Sequence, residues 1–199
     1  AGARTPVFST NSTRWPSAAS LDMISGGRFE FGIGYGWCVE EMRNHKLNYK
    51  KRREILREYI LLMKELWTKE EASFNGEHVK FEASWAWPKP VTRPHPPIIM
   101  GGAAGPKTAA HVAEFCDGWM PIGGMYDFEG GLKQINDACH KIGRDPASIE
   151  LGVFFAMAAT DDAIQQFADK GVKRAILPLP AAEADKVLPV LDKYAKFIK

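Results

Sequence analysis

PIIMGGAAGPKTAAHVAEFCDGWMPIGG, Pro97 to Gly124, packs two strand ends and a helix into one short run. Pro97 to Met100 predicts an apolar strand that stops at Gly101-Gly102. A helix follows from about Pro106 to Phe115, with proline in the first turn, where its missing N–H costs nothing. Gly118 to Ile122 predicts the next strand, which stops at Gly123-Gly124. A helix between two strands returns the chain to its starting end, so the strands run parallel.

The same rhythm extends in both directions. Downstream, a helix is expected from about Phe128 to Ile142, a strand at Leu151 to Phe155, and a helix from about Asp161 to Lys170 stopped by Gly171. A strand at Val172 to Leu179 and a helix through Leu188, Leu191, Tyr194 and Ile198 close the chain. Upstream, Phe29 to Ile33 predicts the first strand, preceded by a short helix from about Pro16. Lys50 to Trp67 is a helix whose Ile55, Leu56, Tyr59, Ile60, Met63, Leu66 and Trp67 share one face. Phe74 to Phe81 predicts a hairpin around Asn75-Gly76, and the proline-rich Trp85 to Pro97 a connecting loop that packs its tryptophans on the domain. The sum is about five strand–helix units of a parallel α/β protein, against the eight of a closed barrel.

Composition narrows the function classes. A net charge of +2, with basic residues scattered, gives no footprint for nucleic acid. No window approaches the ~20 apolar residues of a membrane span, and there is no signal-like start. Cys38, Cys116 and Cys139 have no metal-ligand spacing, and free thiols fit a cytoplasmic protein. The five histidines lie in different elements with no ligand pair among them. No metal site and no catalytic residue is assigned.

Two glycine-rich strand ends carry the chemistry. The first, GIGYGW from Gly32 to Trp37, departs from the dinucleotide fingerprint: its third glycine comes two places after the second rather than three, and no helix starts at once. The bare strand end at Gly34 and Gly36 is either tight packing or a mouth where something flat approaches the backbone. His45 is the histidine expected near it. The second, Gly101-Gly102-Ala103-Ala104-Gly105 followed by Lys107 and Thr108, exposes backbone N–H groups at a helix start, which favours an anion such as phosphate. An ordinary small-residue turn is the other reading.

Leu21-Asp22-Met23-Ile24-Ser25-Gly26-Gly27-Arg28, then Phe31 to Trp37 with Glu40-Glu41-Met42, resembles the luciferase-like monooxygenase superfamily, in particular its coenzyme F420-dependent oxidoreductases. Phe74 to Glu77, Trp87 to Pro90, Pro94 to Pro97, Gly101-Gly102 and Asp117 to Trp119 continue the resemblance over roughly residues 16 to 180, with residues 1–15 unmatched. The resemblance implies a TIM (β/α)8-barrel fold of which residues 16–199 supply about five units, lacking about three N-terminal ones. It implies F420, or FMN in relatives, with the phosphate at Gly101, Gly102, Ala103, Ala104, Gly105, Lys107 and Thr108. The ring or its side chain would lie at Gly34, Gly36 and Trp37. Hydride transfer between F420 and a small organic substrate is the implied activity. The alternatives are an FMN-dependent monooxygenase and a non-catalytic half-barrel acting by oligomerisation. A homo-oligomer covering the open barrel edge is the expected partner.

Overall fold

Phe31, Gly32 and Ile33 form β1 (Phe31–Ile33) and pair in parallel with Ile98, Ile99 and Met100 of β4 (Ile98–Gly101). These are the strands whose carboxyl ends turn into the two glycine-rich loops. The structure, a computed structural model, describes residues 14–155 and 160–197. Most of segment 1–15 lies outside the described residues, as does Ile198 of the last helix.

Helix α1 (Arg14–Ser25) precedes β1; α2 (Val39–Asn44), a 3-10 turn at Tyr49–Lys51 and α3 (Arg52–Thr68) follow it. An antiparallel hairpin, β2 (Glu71–Asn75) and β3 (Lys80–Trp85), comes before β4. Then α4 (Pro106–Phe115), β5 (Gly118–Met120), α5 (Phe128–Lys141), β6 (Glu150–Phe154), α6 (Asp161–Asp169), β7 (Arg174–Ile176) and α7 (Ala184–Ala195) alternate to the end. The main sheet has five strands in the order β1-β4-β5-β6-β7, every pair parallel. The expected strand–helix rhythm is therefore the observed one, with strand ends trimmed by a few residues. Ile122, for example, lies beyond β5 and makes a lone bridge to Phe154.

Alternation along the strands separates two faces. Ile33, Ile98 and Met100 sink into one cluster with Leu56, Ile60, Met63, Trp67, Val112 and Phe115 from the helical layer. The other face carries Glu150, Phe154, Arg174 and Ile176. Arg174 on β7 pairs with Glu30, just ahead of β1, and lies 3.4 Å from Glu150 of β6. A side chain on the last strand thus reaches the first, so the sheet is curled as a barrel wall is. Among the described residues β1 and β7 each have one strand neighbour. Phe154 and Ile176, 41% and 36% exposed, are left partly bare on the inner face.

Three expectations change. Helix α3 has two apolar faces, not one: Leu56, Ile60, Met63 and Trp67 face the main core, while Leu62 and Leu66 join Ala72, Val79 and Ala86 under the hairpin. The hairpin turn sits on Glu77-His78, closed by the Gly76 amide on the Val79 carbonyl at 2.9 Å, rather than on Asn75-Gly76. Its position follows from the Glu58 carboxylate, which accepts from the N–H groups of Glu77, His78 and Val79. The loop before β4 does not dock through its tryptophans. Trp85 and Trp87 are 71% and 65% exposed, while Ala86, Pro90 and Pro96 are buried. Lys89 secures the loop by donating to the Leu66 carbonyl at 2.7 Å, one of the backbone acceptors left over at the end of α3.

Candidate functional site

Ile33 and Met100 sit side by side in the parallel register, so the loops that follow them leave the sheet at the same end. The contact is tight: a side chain at Gly101 would start 3.3 Å from the Ile33 carbonyl oxygen. This brings Gly34, Gly36 and Trp37 onto the same rim as Gly101 to Thr108, although some 65 residues separate them in sequence.

On the first loop, Gly36 has φ +74, and an added Cβ would lie 2.5 Å from the Met42 methyl. Gly36→Ala is expected to cost about 1–2 kcal/mol, mostly left-handed backbone strain, because the flexible end of Met42 can move aside. A urea unfolding midpoint reads this directly; an unchanged midpoint would contradict it. Trp37 is 85% exposed beyond this turn, and Cys38 follows at the start of α2.

On the second loop, Gly102 has φ +92 with no atom within 4 Å of its missing side chain, and Gly105 is equally open. Gly105 is the N-cap of α4, and no side chain caps the helix. Pro106 has no N–H, so the amides of Lys107 and Thr108 end the helix without a side-chain acceptor. Ala103 is exposed and Ala104 buried. From beneath, the Trp119 Nε1–H donates to the Gly102 carbonyl at 2.9 Å and holds the loop to the core. Uncapped N–H groups, the positive end of the helix and open space make a cradle of the right chemistry for a phosphate.

The two polar side chains of this loop are engaged elsewhere. Lys107 pairs with Glu54 on α3, and that hydrogen bond holds the Glu54 carboxyl down at about 2. Thr108 is buried and hydrogen-bonds the Tyr35 side chain. The Tyr35 hydroxyl also lies 2.9 Å from Nδ1 of His111, one turn along α4. Burial pushes the Tyr35 phenol up to about 12 and the His111 imidazole below its usual value. His111, and not His45, is thus the histidine in contact with the first glycine loop; His45 caps the far end of α2. The spacing of Thr108 and His111 on one helical face was the available signal, but a partner 76 residues away gives none.

Of the Asp117-Gly118-Trp119 motif, Asp117 lies at the opposite end of the strands, whereas the Trp119 side chain reaches the Gly102 loop. The Asp117 carboxylate accepts from the Ile98 amide at 2.8 Å, at the start of β4. At the rim, the loop after β5 borders a recess of about 810 Å3 lined by Ile122, Phe128, Phe155, Phe167 and Lys170 among others. Its lysine is already paired with Glu129 at 2.8 Å, and its walls are mainly apolar. The uncapped donors that suit an anion lie in the neighbouring loop at 101–108, which is therefore the stronger candidate on chemical grounds.

Residues 5–196 match the sequence profile described as luciferase-like monooxygenase. The chain belongs to this family. It is 36% identical over 192 residues to an uncharacterized protein of Mycobacterium tuberculosis, covering 96% of this chain and 66% of that one. An FMNH2-dependent dimethylsulfone monooxygenase of Pseudomonas putida is 30% identical over 146 residues, covering 72% of this chain and 39% of its own. An F420-dependent hydroxymycolic acid dehydrogenase of Mycobacterium tuberculosis is 29% identical over 163 residues, covering 76% and 42%. The chain therefore spans about two-thirds, or less, of the length of these relatives. The crystal structure of the monooxygenase RslO1 from Streptomyces bottropensis shares the fold, with TM-score 0.68 and 23% identity over 98% of this chain and 60% of that one. The five-stranded parallel sheet is thus part of a luciferase-like TIM barrel, and the chain is of an oxidoreductase and monooxygenase family.

No described helix is long and apolar enough to cross a membrane.

Proposed function

We propose that this chain carries the phosphate cradle and part of the ring-facing rim of a site for coenzyme F420, and serves hydride transfer to or from a small organic molecule. The observation that carries this reading is the uncapped start of α4 beside the bare strand end at Gly34 and Gly36, on adjacent parallel strands. Gly101, Gly102, Ala103 and Gly105 would line the phosphate, and the Lys107 and Thr108 amides would donate to it. When bound, the deazaflavin supplies the hydride-carrying ring carbon. The protein's own part is to fix the phosphate, present a flat glycine backbone to the ring and keep Trp37 at the edge of the mouth. Lys107, held by Glu54, contributes a nearby positive charge rather than a direct ligand.

FMN is the second reading, favoured by the 30%-identical FMNH2-dependent relative, because the same cradle suits its monophosphate. We further propose that the edges of β1 and β7, which have one strand neighbour each among the described residues, and the partly exposed Phe154 and Ile176 are covered by a second copy of the chain, in the cytoplasm.

Titrating the purified protein with F420 and with FMN, followed by chromophore and tryptophan fluorescence, tests the site. Saturable F420 binding, weakened by phosphate, is the expected result. Saturation by FMN alone would favour the second reading, and binding of neither would overturn both.

A further inference from the structure

Tyr35 is the one side chain of the first glycine loop that turns back into the protein. Two helices meet it. Its hydroxyl lies against Thr108 and, at 2.9 Å, Nδ1 of His111, both on α4. The guanidinium of Arg53, from α3, stands 5.0 Å over its ring. His111 is itself wedged against Phe115, with ring centroids 5.3 Å apart. One assignment of protons fits these three groups: the Thr108 hydroxyl donates to the Tyr35 oxygen, and the Tyr35 hydroxyl donates to Nδ1 of a neutral His111 that carries its proton on Nε2. A phenylalanine would fill the same space without this chain.

We propose that Tyr35 is a positioning residue. Its hydroxyl locks the loop at 34–37 to the first turn of α4, so that the ring-facing and phosphate-facing halves of the site are held in one geometry. This rests on the reading of residues 101–108 as a phosphate cradle. The physical consequence concerns ligands that touch both halves. A ligand spanning two surfaces gains from their fixed separation, whereas one that touches a single surface gains nothing. Thr108 and His111 are buried and Tyr35 is half-buried, and Thr108 serves the tie through its side chain while leaving its backbone N–H at the helix start.

FMN, riboflavin and inorganic phosphate separate these contributions: the first carries ring and phosphate, the second the ring, the third the phosphate. Affinities for all three are measured for the full chain and for Tyr35→Phe. The expected result is about a tenfold loss for FMN with riboflavin and phosphate within about twofold of the parent. Thr108→Val, which removes the neighbouring hydroxyl, should give the same pattern and serves if Tyr35→Phe does not fold. Equal losses for all three ligands would mean that Tyr35 only supports the fold, and no loss for FMN would mean that the tie is idle; either overturns the proposal. A parent chain that binds riboflavin but gains nothing from the phosphate of FMN overturns the cradle reading beneath it, and the proposal with it. Those outcomes are distinguishable.

Discussion

Trp119→Ala is expected to destabilise the chain by about 4 kcal/mol, the range for emptying an aromatic site in a packed core. Trp119 is fully buried and stacks on Phe128 with centroids 5.1 Å apart and planes 24° from parallel. Its far edge fits only because residue 131 is glycine: a Cβ there would come within 2.8 Å of the indole. Alanine at 119 leaves a cavity bounded by backbone of β5 and α5, which cannot close without moving the sheet from its helix. For a domain of this size the melting temperature should fall by roughly 8–16 °C. Trp119→Phe separates packing from the polar contact. It keeps most of the buried surface but removes the Nε1–H donated to Gly102, so stability should fall by only about 1–2 kcal/mol. The cradle at 101–105 would lose its anchor from below. Thermal unfolding followed by circular dichroism measures both; a Trp119→Ala loss under about 1 kcal/mol would show that the indole is not part of a rigid core.

Glu58→Gln should be the second large effect, at about 3 kcal/mol. This buried carboxylate accepts from the amides of Glu77, His78 and Val79 at 3.0, 2.8 and 2.7 Å. Burial alone would push its pKa up, but the three donors together outweigh burial and hold it below the ordinary carboxylate value. Glutamine keeps the shape but replaces one acceptor oxygen with a donor facing N–H groups, leaving amides of the hairpin turn unpaired. The sign with pH follows from the lowered pKa. The ionised group's contribution is complete above the unfolded carboxyl value of about 4.3 and is lost as pH falls through the folded value. Denaturant unfolding should therefore show the full gap between parent and Glu58→Gln near neutral pH, narrowing as the solution is acidified below about 4. A gap that is constant with pH would mean that the charge itself contributes nothing.

Both predictions concern residues whose importance is a matter of neighbours. The sequence alone determined the order of elements, because strand and helix periods are local and two of the strands announce their ends with Gly101-Gly102 and Gly123-Gly124. It also determined the two candidate loops, since a backbone without side chains at a strand end is visible residue by residue. The family followed from the same motifs and holds. The hairpin turn and the exposure of Trp85 and Trp87 were not legible, because both depend on what another element offers. For the turn that was Glu58; for the loop it was the spare carbonyls at the end of α3.

Only the tertiary structure decided which side chains meet. It set Tyr35 on Thr108 and His111, turned Lys107 from the cradle to Glu54, and carried Arg174 across the curled sheet to Glu30. Each of these partners lies dozens of residues from its mate. Strand order, register and curvature bring them together, and none of those is a property of a local stretch of chain.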